Sequence, residues 1–244
     1  MNTDKINAVF FDCWDTVISF TDPDKQWNIR AFQKHAINKD EINWEDVYNF
    51  TENFIKDYYS SRLMYEISYI SLVNLVVKNF DIKLDCPLET CTHEVLNHLD
   101  PKPIDGITDF LSLLDGKEIP YAIISNTIYP SIDTLALIDK LIPEHHFKFF
   151  LGSQEVGVKK PNPLFFKTGV KLAGADINKS MYIGDAFYQD VHGSYEAGFK
   201  ASIWLNHKKK EIRTNDGYVK DMTFYEVDGY KGLIELIKKG IIVL

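Results

Sequence analysis

Four short stretches carry residue types that could do chemistry together, and each follows an apolar run. The first is Asp12, which ends Ala8-Val9-Phe10-Phe11. A carboxylate there can attack a substrate or bind a metal. The second is Ser125-Asn126-Thr127, after Ile123-Ile124. A hydroxyl and an amide at a strand-to-helix turn, with exposed backbone N–H groups, suit an anion. The third is Lys159-Lys160-Pro161-Asn162-Pro163. Its prolines fix the backbone and start a helix, and a lysine supplies a point charge for an oxyanion. Only one lysine needs to point inward, and its place before Pro161 selects Lys160. The fourth is Gly184-Asp185 with Asp190 beyond it. Two more carboxylates beside Asp12 would repel one another unless a cation sat between them, and hard oxygen ligands favour Mg²⁺. The combination suits phosphoryl transfer. A cation and a lysine offset the repulsion between phosphate and carboxylate and take up charge developing in the transition state.

Such groups must be carried to one place by the elements between them. Nearly continuous apolar runs at 6–11, 119–124, 147–151, 180–183 and 201–205, and weakly at 224–227, predict strands of a parallel sheet covered on both faces. Helical patterns at 107–114, 131–142, 164–172 and 191–197 lie among them. This alternation predicts an α/β, Rossmann-like doubly wound parallel sheet, whose ligand sites form outside the carboxyl ends of the strands. Residues 21–99 break the rhythm. Trp44, Val47, Thr51, Phe54 and Tyr58 recur at helical spacing, and Leu63, Ile67, Ile70, Val73 and Val77 continue it. A helical cap inserted after the first strand is expected, with residues 1–20 and 100–244 forming the core. Asp100-Pro101-Lys102-Pro103 reads as the returning linker, because proline restricts helix at and before its position.

The bulk numbers exclude several classes. The chain has 244 residues, of which 45% are hydrophobic and 25% charged, an ordinary globular mix. A net charge of -8 argues against nucleic acid as a partner, since phosphate neutralisation needs a basic face. No apolar run approaches the roughly 20 residues that span a bilayer, and no cationic-then-apolar segment opens the chain, so no membrane partner and a cytoplasmic location are expected. Three cysteines do not make a disulfide framework. Cys86, Cys91 and His93 suggest a metal cluster only loosely, their spacing being unlike common zinc sites, and they read as buried or idle thiols.

The order D-x-x-x-T, S-N, K-P-x-P and G-D-x-x-x-x-D resembles the haloacid dehalogenase-like (HAD) hydrolase superfamily. The resemblance covers the core, about residues 6–17 and 103–236, and the helical insertion sits where this family places its C1 cap. By position it implies Asp12 as a nucleophile forming an aspartyl intermediate. Ser125 would hold a phosphoryl oxygen, with Asn126 beside it in the anion site, and Lys160 would steady nucleophile and phosphoryl charge. Asp185 would bind Mg²⁺, Asp190 would support it, and the backbone carbonyl of Trp14 would be a further ligand. The implied reaction is Mg²⁺-dependent hydrolysis of a small phosphorylated metabolite.

One position departs from the family pattern. Phosphatases of this kind usually carry a second aspartate two residues after the nucleophile, where this chain has Trp14. An indole N–H cannot act as an acid near neutral pH, and general acid–base help is worth about 10²–10⁴ in rate. Three readings follow. Asp15 replaces the acid and the enzyme is slow; the chain is a metal-independent 2-haloacid dehalogenase, whose relatives carry an aromatic here; or it is a non-catalytic or regulatory binder. A dehalogenase would gain nothing from Asp185 and Asp190, and would want a cap arginine, for which Arg30 and Arg62 are the candidates.

Overall fold

The computed structural model describes residues 5–20, 27–60, 63–97, 100–209 and 222–244. Arg62 and the first residues of the insertion (21–26) lie outside the described residues. The core strands are β1 (Ala8–Phe11), β4 (Tyr121–Ser125), β5 (Phe150–Gly152), β6 (Ser180–Gly184), β7 (Ala201–Leu205) and β8 (Tyr225–Val227). They form one six-stranded sheet in the order β5-β4-β1-β6-β7-β8, every pair parallel. The chain builds outward from β1 in one direction, then returns to its other side at β6. The order therefore reverses beside β1, where a crevice opens at the carboxyl edge.

Alternation along each strand feeds two separate cores. Val9, Phe11, Tyr121, Ile123, Met181 and Ile183 point to the face covered by α5 (Ile107–Asp115), α6 (Ser131–Leu141) and α10 (Tyr230–Lys238). Their neighbours Ala8, Phe10, Ala122, Ile124 and Tyr182 point to the face covered by α8 (Pro163–Leu172) and α9 (Gly193–Ala197). A strand with no solvent face has no reason to alternate polarity, which is why these runs are uniformly apolar. Phe11 is fully buried and meets Phe110, Tyr121 and Phe147 edge to face. Burial of such a ring contributes about 1.5–3 kcal/mol.

Between β2 (Ile18–Phe20) and β3 (Pro101–Pro103) run α1 (Trp27–His35), α2 (Trp44–Ser60), α3 (Tyr69–Asn79) and α4 (Leu88–Asn97), with their own buried cluster around Phe32, Val47, Leu72, Val73 and Cys91. Two expectations are corrected here. The stretch read as a linker is a strand, paired antiparallel with β2. Pro101 and Pro103 occupy alternate positions of a two-stranded ribbon, where an N–H can be dispensed with. The helical pattern from Leu63 onward also fails at its start, since α3 begins only at Tyr69. Residues 64–66 lie instead along the loop after α7 (Ser153–Val156), and Tyr69 meets the turn between β4 and α6. Glu66 N–H donates to the Gly157 carbonyl (3.1 Å), Lys159 N–H to Met64 (3.0 Å) and Tyr69 N–H to Ile128 (2.7 Å). Backbone bonds to a distant segment outweigh the local period. The tail docks by donation from Ile6 N–H to the Val243 carbonyl (2.8 Å). No described helix is long and apolar enough to cross a membrane.

Candidate active site

The three central strands end at the residues with chemical potential. Asp12 follows β1, Ser125 closes β4, and Asp185 follows β6, so sheet order alone places them side by side. Asp190 reaches them from a π-helical turn, Phe187–His192, a wide turn often found at functional sites. Its carboxylate packs against Gly184, where a Cβ would come within 2.3 Å of Asp190 Cγ, so only glycine fits at the end of β6. Oxygens of Asp12, Asp185 and Asp190 all lie within 4.8 Å of one another, and all three side chains are buried.

Lys160 enters this acidic cluster from the loop before α8. Its ammonium donates to Asp12 Oδ1 (2.7 Å), Asp190 Oδ1 (2.5 Å) and Tyr182 Oη (3.0 Å), with 2% of its side chain exposed. Burial opposes its charge, but Asp12 and Asp190 outweigh it, and its pKa stands well above the ordinary lysine value. Burial pushes Asp190 the other way from its usual acidity, up to about 7, with Lys160 pulling it back. Ser125 Oγ donates to the same Asp12 Oδ1 (2.8 Å). Among the described residues no hydrogen bond reaches Asp12 Oδ2. One oxygen of Asp12 is thus fixed and the other keeps its lone pairs.

The structure brings Asp12, Ser125, Lys160, Asp185 and Asp190 together. It employs Asn126 differently from the expectation of a substrate contact. The Asn126 amide donates to the Lys160 carbonyl (3.1 Å) and accepts from Lys160 N–H (2.7 Å), clamping the lysine's backbone. Asp15 is directed elsewhere, its carboxylate paired with Lys208 from the loop after β7. Asp15 has φ +58°, the left-handed conformation that aspartate tolerates, in the tight turn where Cys13 carbonyl accepts from Val17 (2.7 Å). Trp14 is half-buried and meets Tyr129 edge to face at 6.4 Å. Arg30 is exposed on α1.

Tyr182 is the residue that sequence reasoning missed. It reads as one more apolar strand position, yet its hydroxyl donates to the Ile124 carbonyl (2.7 Å) and accepts from Lys160. Trp204 was equally hidden in its strand. Its indole N–H donates to the Asp185 carbonyl (3.0 Å) and fixes that turn. Lys159 is also buried rather than solvated, its ammonium 3.7 Å from the centre of the Tyr58 ring. Burial lowers its pKa.

Residues 37–203 match the family described as haloacid dehalogenase-like hydrolase. The chain belongs to this family. A glyceraldehyde 3-phosphate phosphatase of Methanopyrus kandleri is 23% identical over 239 residues, covering 96% of this chain and 98% of that one. Two solved structures share the fold of this haloacid dehalogenase-like hydrolase. A 2-haloacid dehalogenase from Pseudomonas syringae has TM-score 0.67 at 18% identity, covering 96% of this chain and 99% of that one. A HAD phosphatase from Thermococcus onnurineus has TM-score 0.62 at 21% identity, covering 98% and 99%.

Proposed function

We propose that this hydrolase is a Mg²⁺-dependent phosphatase of small phosphorylated metabolites that works through an aspartyl phosphate on Asp12. The observation that carries this reading is the convergence of Asp12, Asp185 and Asp190 within 4.8 Å of one another, with Lys160 bonded to two of them, Asp12 and Asp190. A metal-free site for a carboxylate substrate would not gather three carboxylates in one place with an ammonium on only two of them. The all-oxygen donor set fits a hard cation. Asp12, Asp185, Asp190 and the Trp14 carbonyl would hold Mg²⁺, which when bound supplies positive charge against the phosphoryl oxygens.

The chain's own residues account for the rest. Lys160 and Ser125 hold Oδ1, which aims Oδ2 of Asp12 at phosphorus. The new O–P bond forms as the ester P–O bond breaks, and the leaving oxygen takes a proton. Water then attacks the phosphorus of the acyl phosphate, which returns Asp12 as carboxylate and releases inorganic phosphate. Lys160 balances charge throughout. Asn126 and Tyr182 keep it in place. The helical segment between β2 and β3 serves as the cap that excludes water. It is tied to the core by Ser153 Oγ donating to Glu66 Oε2 (2.6 Å), while the Tyr58 hydroxyl lies 2.6 Å from Glu66 Oε1.

Turnover of an aryl phosphate and of glyceraldehyde 3-phosphate, with and without Mg²⁺, tests the reading. Phosphate release that requires Mg²⁺ is expected. Chloride release from 2-chloropropionate without metal would select the dehalogenase instead.

Two further outcomes are expected. Trp14 has no proton to give and Asp15 is held by Lys208. Solvent must therefore protonate the leaving group. Trp14→Asp should raise turnover of alkyl phosphates by about 10²–10⁴-fold while changing aryl phosphates little. Asp15→Asn should leave that ratio unaltered; a collapse of alkyl turnover in Asp15→Asn would make Asp15 the acid.

The second outcome concerns pH. Asp190 moves from the ordinary 3.8 to about 7. Between those values the folded, metal-free chain holds a proton that the unfolded chain has lost. Metal-free stability from this group therefore falls as pH rises through that window. A cation must displace the same proton. Apparent Mg²⁺ affinity should fall below about pH 7, by up to about tenfold per pH unit. Calorimetry in buffers of different ionisation enthalpy measures the released proton, and affinity constant from pH 8 to pH 6 would refute the coupling.

A further inference from the structure

A second cluster of metal-ligating side chains lies in the helical segment, apart from Asp12, Asp185 and Asp190. His35 ends α1, Asp85 and Cys86 precede α4, and one ligand atom from each lies within 4.8 Å of the others. Cys91, on α4, is not one of that set of three, but its sulfur lies 3.7 Å from Cys86 Sγ. His93, the histidine closer in sequence, points away and pairs with Asp133 (2.8 Å). The histidine that joins the thiols comes instead from about fifty positions earlier, because α1 packs against α4.

We propose that His35, Asp85, Cys86 and Cys91 form a binding site for a thiophilic divalent cation, Zn²⁺, in the helical segment. Three features of the geometry carry this. Two sulfurs bound at about 2.3 Å to one tetrahedral ion lie about 3.8 Å apart, close to the separation seen here and far beyond a disulfide. His35 Nδ1 lies 2.8 Å from Asp85 Oδ1, so the ion takes the place of the proton now shared between two ligand atoms. The other ring nitrogen, Nε2, lies 3.1 Å from Glu94 Oε1, and Lys34 Nζ donates to both oxygens of that carboxylate (2.9 and 3.0 Å). A carboxylate on the far nitrogen of a ligating histidine fixes the tautomer that turns a lone pair on Nδ1 toward the metal.

The donor set of one nitrogen, one carboxylate oxygen and two sulfurs selects Zn²⁺ over Mg²⁺, which keeps to oxygen. On binding, the two thiols lose their protons to solvent and two S–metal bonds form. The ion would pin α1 to α4 and so stiffen the segment that covers the sheet edge.

The test uses the full chain, reduced, with Mg²⁺ in excess to satisfy the oxygen site. Addition of Co²⁺ should give sulfur-to-cobalt charge-transfer absorption in the near ultraviolet with visible bands of a tetrahedral site. Cys86→Ser should weaken the charge-transfer band to about half, and Cys86→Ser with Cys91→Ser should abolish it. Glu94→Gln should weaken Co²⁺ binding by about 10–100-fold. In the wild-type chain one equivalent of Zn²⁺ should protect Cys86 from alkylation, a readout that depends on no variant folding. Absence of the band in the reduced chain, its survival in the variant that lacks both cysteines, or alkylation of Cys86 undiminished by Zn²⁺ would overturn the proposal.

Discussion

Asp12→Asn is expected to lower kcat by roughly 10⁴- to 10⁶-fold, the range seen when a member of a concerted catalytic set is removed. The carboxylate offers two unlike oxygens. Oδ1 accepts from Ser125 and Lys160, and an asparagine carbonyl can accept the same two bonds. Oδ2 accepts no hydrogen bond among the described residues, and asparagine replaces it with an NH₂ that has no lone pair for phosphorus. The fold should survive, because one negative charge leaves a place where three carboxylates crowd together. Acid-quenched wild-type enzyme should carry phosphate on an acyl linkage, and the variant none. A variant retaining activity within tenfold of wild type would move the nucleophile off Asp12.

Lys160→Met should be the most destabilising single change at the site. The ammonium is donor to Asp12, Asp190 and Tyr182 at once, in a place with 2% exposure. Removing one partner of a buried ion pair strands the other, at a cost of about 3–5 kcal/mol. Here two carboxylates are stranded. Mg²⁺ should restore part of the loss by taking up the same negative charge. The rise in Tm on adding Mg²⁺ is therefore expected to be larger in Lys160→Met than in wild type. Turnover should fall with it, since no ammonium remains to balance the phosphoryl group. Equal melting temperatures for the two metal-free proteins would show that Lys160 is not carrying this charge.

Much of the core was legible along the chain. Uniform apolar runs marked strands with both faces covered, and Asp12, Ser125 and Asp185 sat at or directly beyond the ends of three of them. The boundaries shifted where local signals were weak. The run at 147–151 shrank to Phe150–Gly152. The pattern at 191–197 starts earlier as the π-helical turn that carries Asp190. The two prolines of β3 suggested a linker because proline is read as a breaker, and only the antiparallel partner Ile18–Phe20 shows that their missing N–H groups cost nothing.

The amino-acid order by itself determined the class of fold and singled out Asp12 and, over its neighbour, Lys160 as candidate site residues. Those depend on local polarity and on the position of proline. Tertiary structure alone decided what each group does with its hydrogen bonds. It clamped Asn126 onto the Lys160 backbone, turned Tyr182 from a core ring into a lysine partner, sent Asp15 to Lys208, and set His35 beside Asp85 and Cys86. The physical reason is that periodicity reports which face a residue takes within its own element. Partners come from the register between strands and the packing of helices far apart in the chain, and no local spacing encodes either.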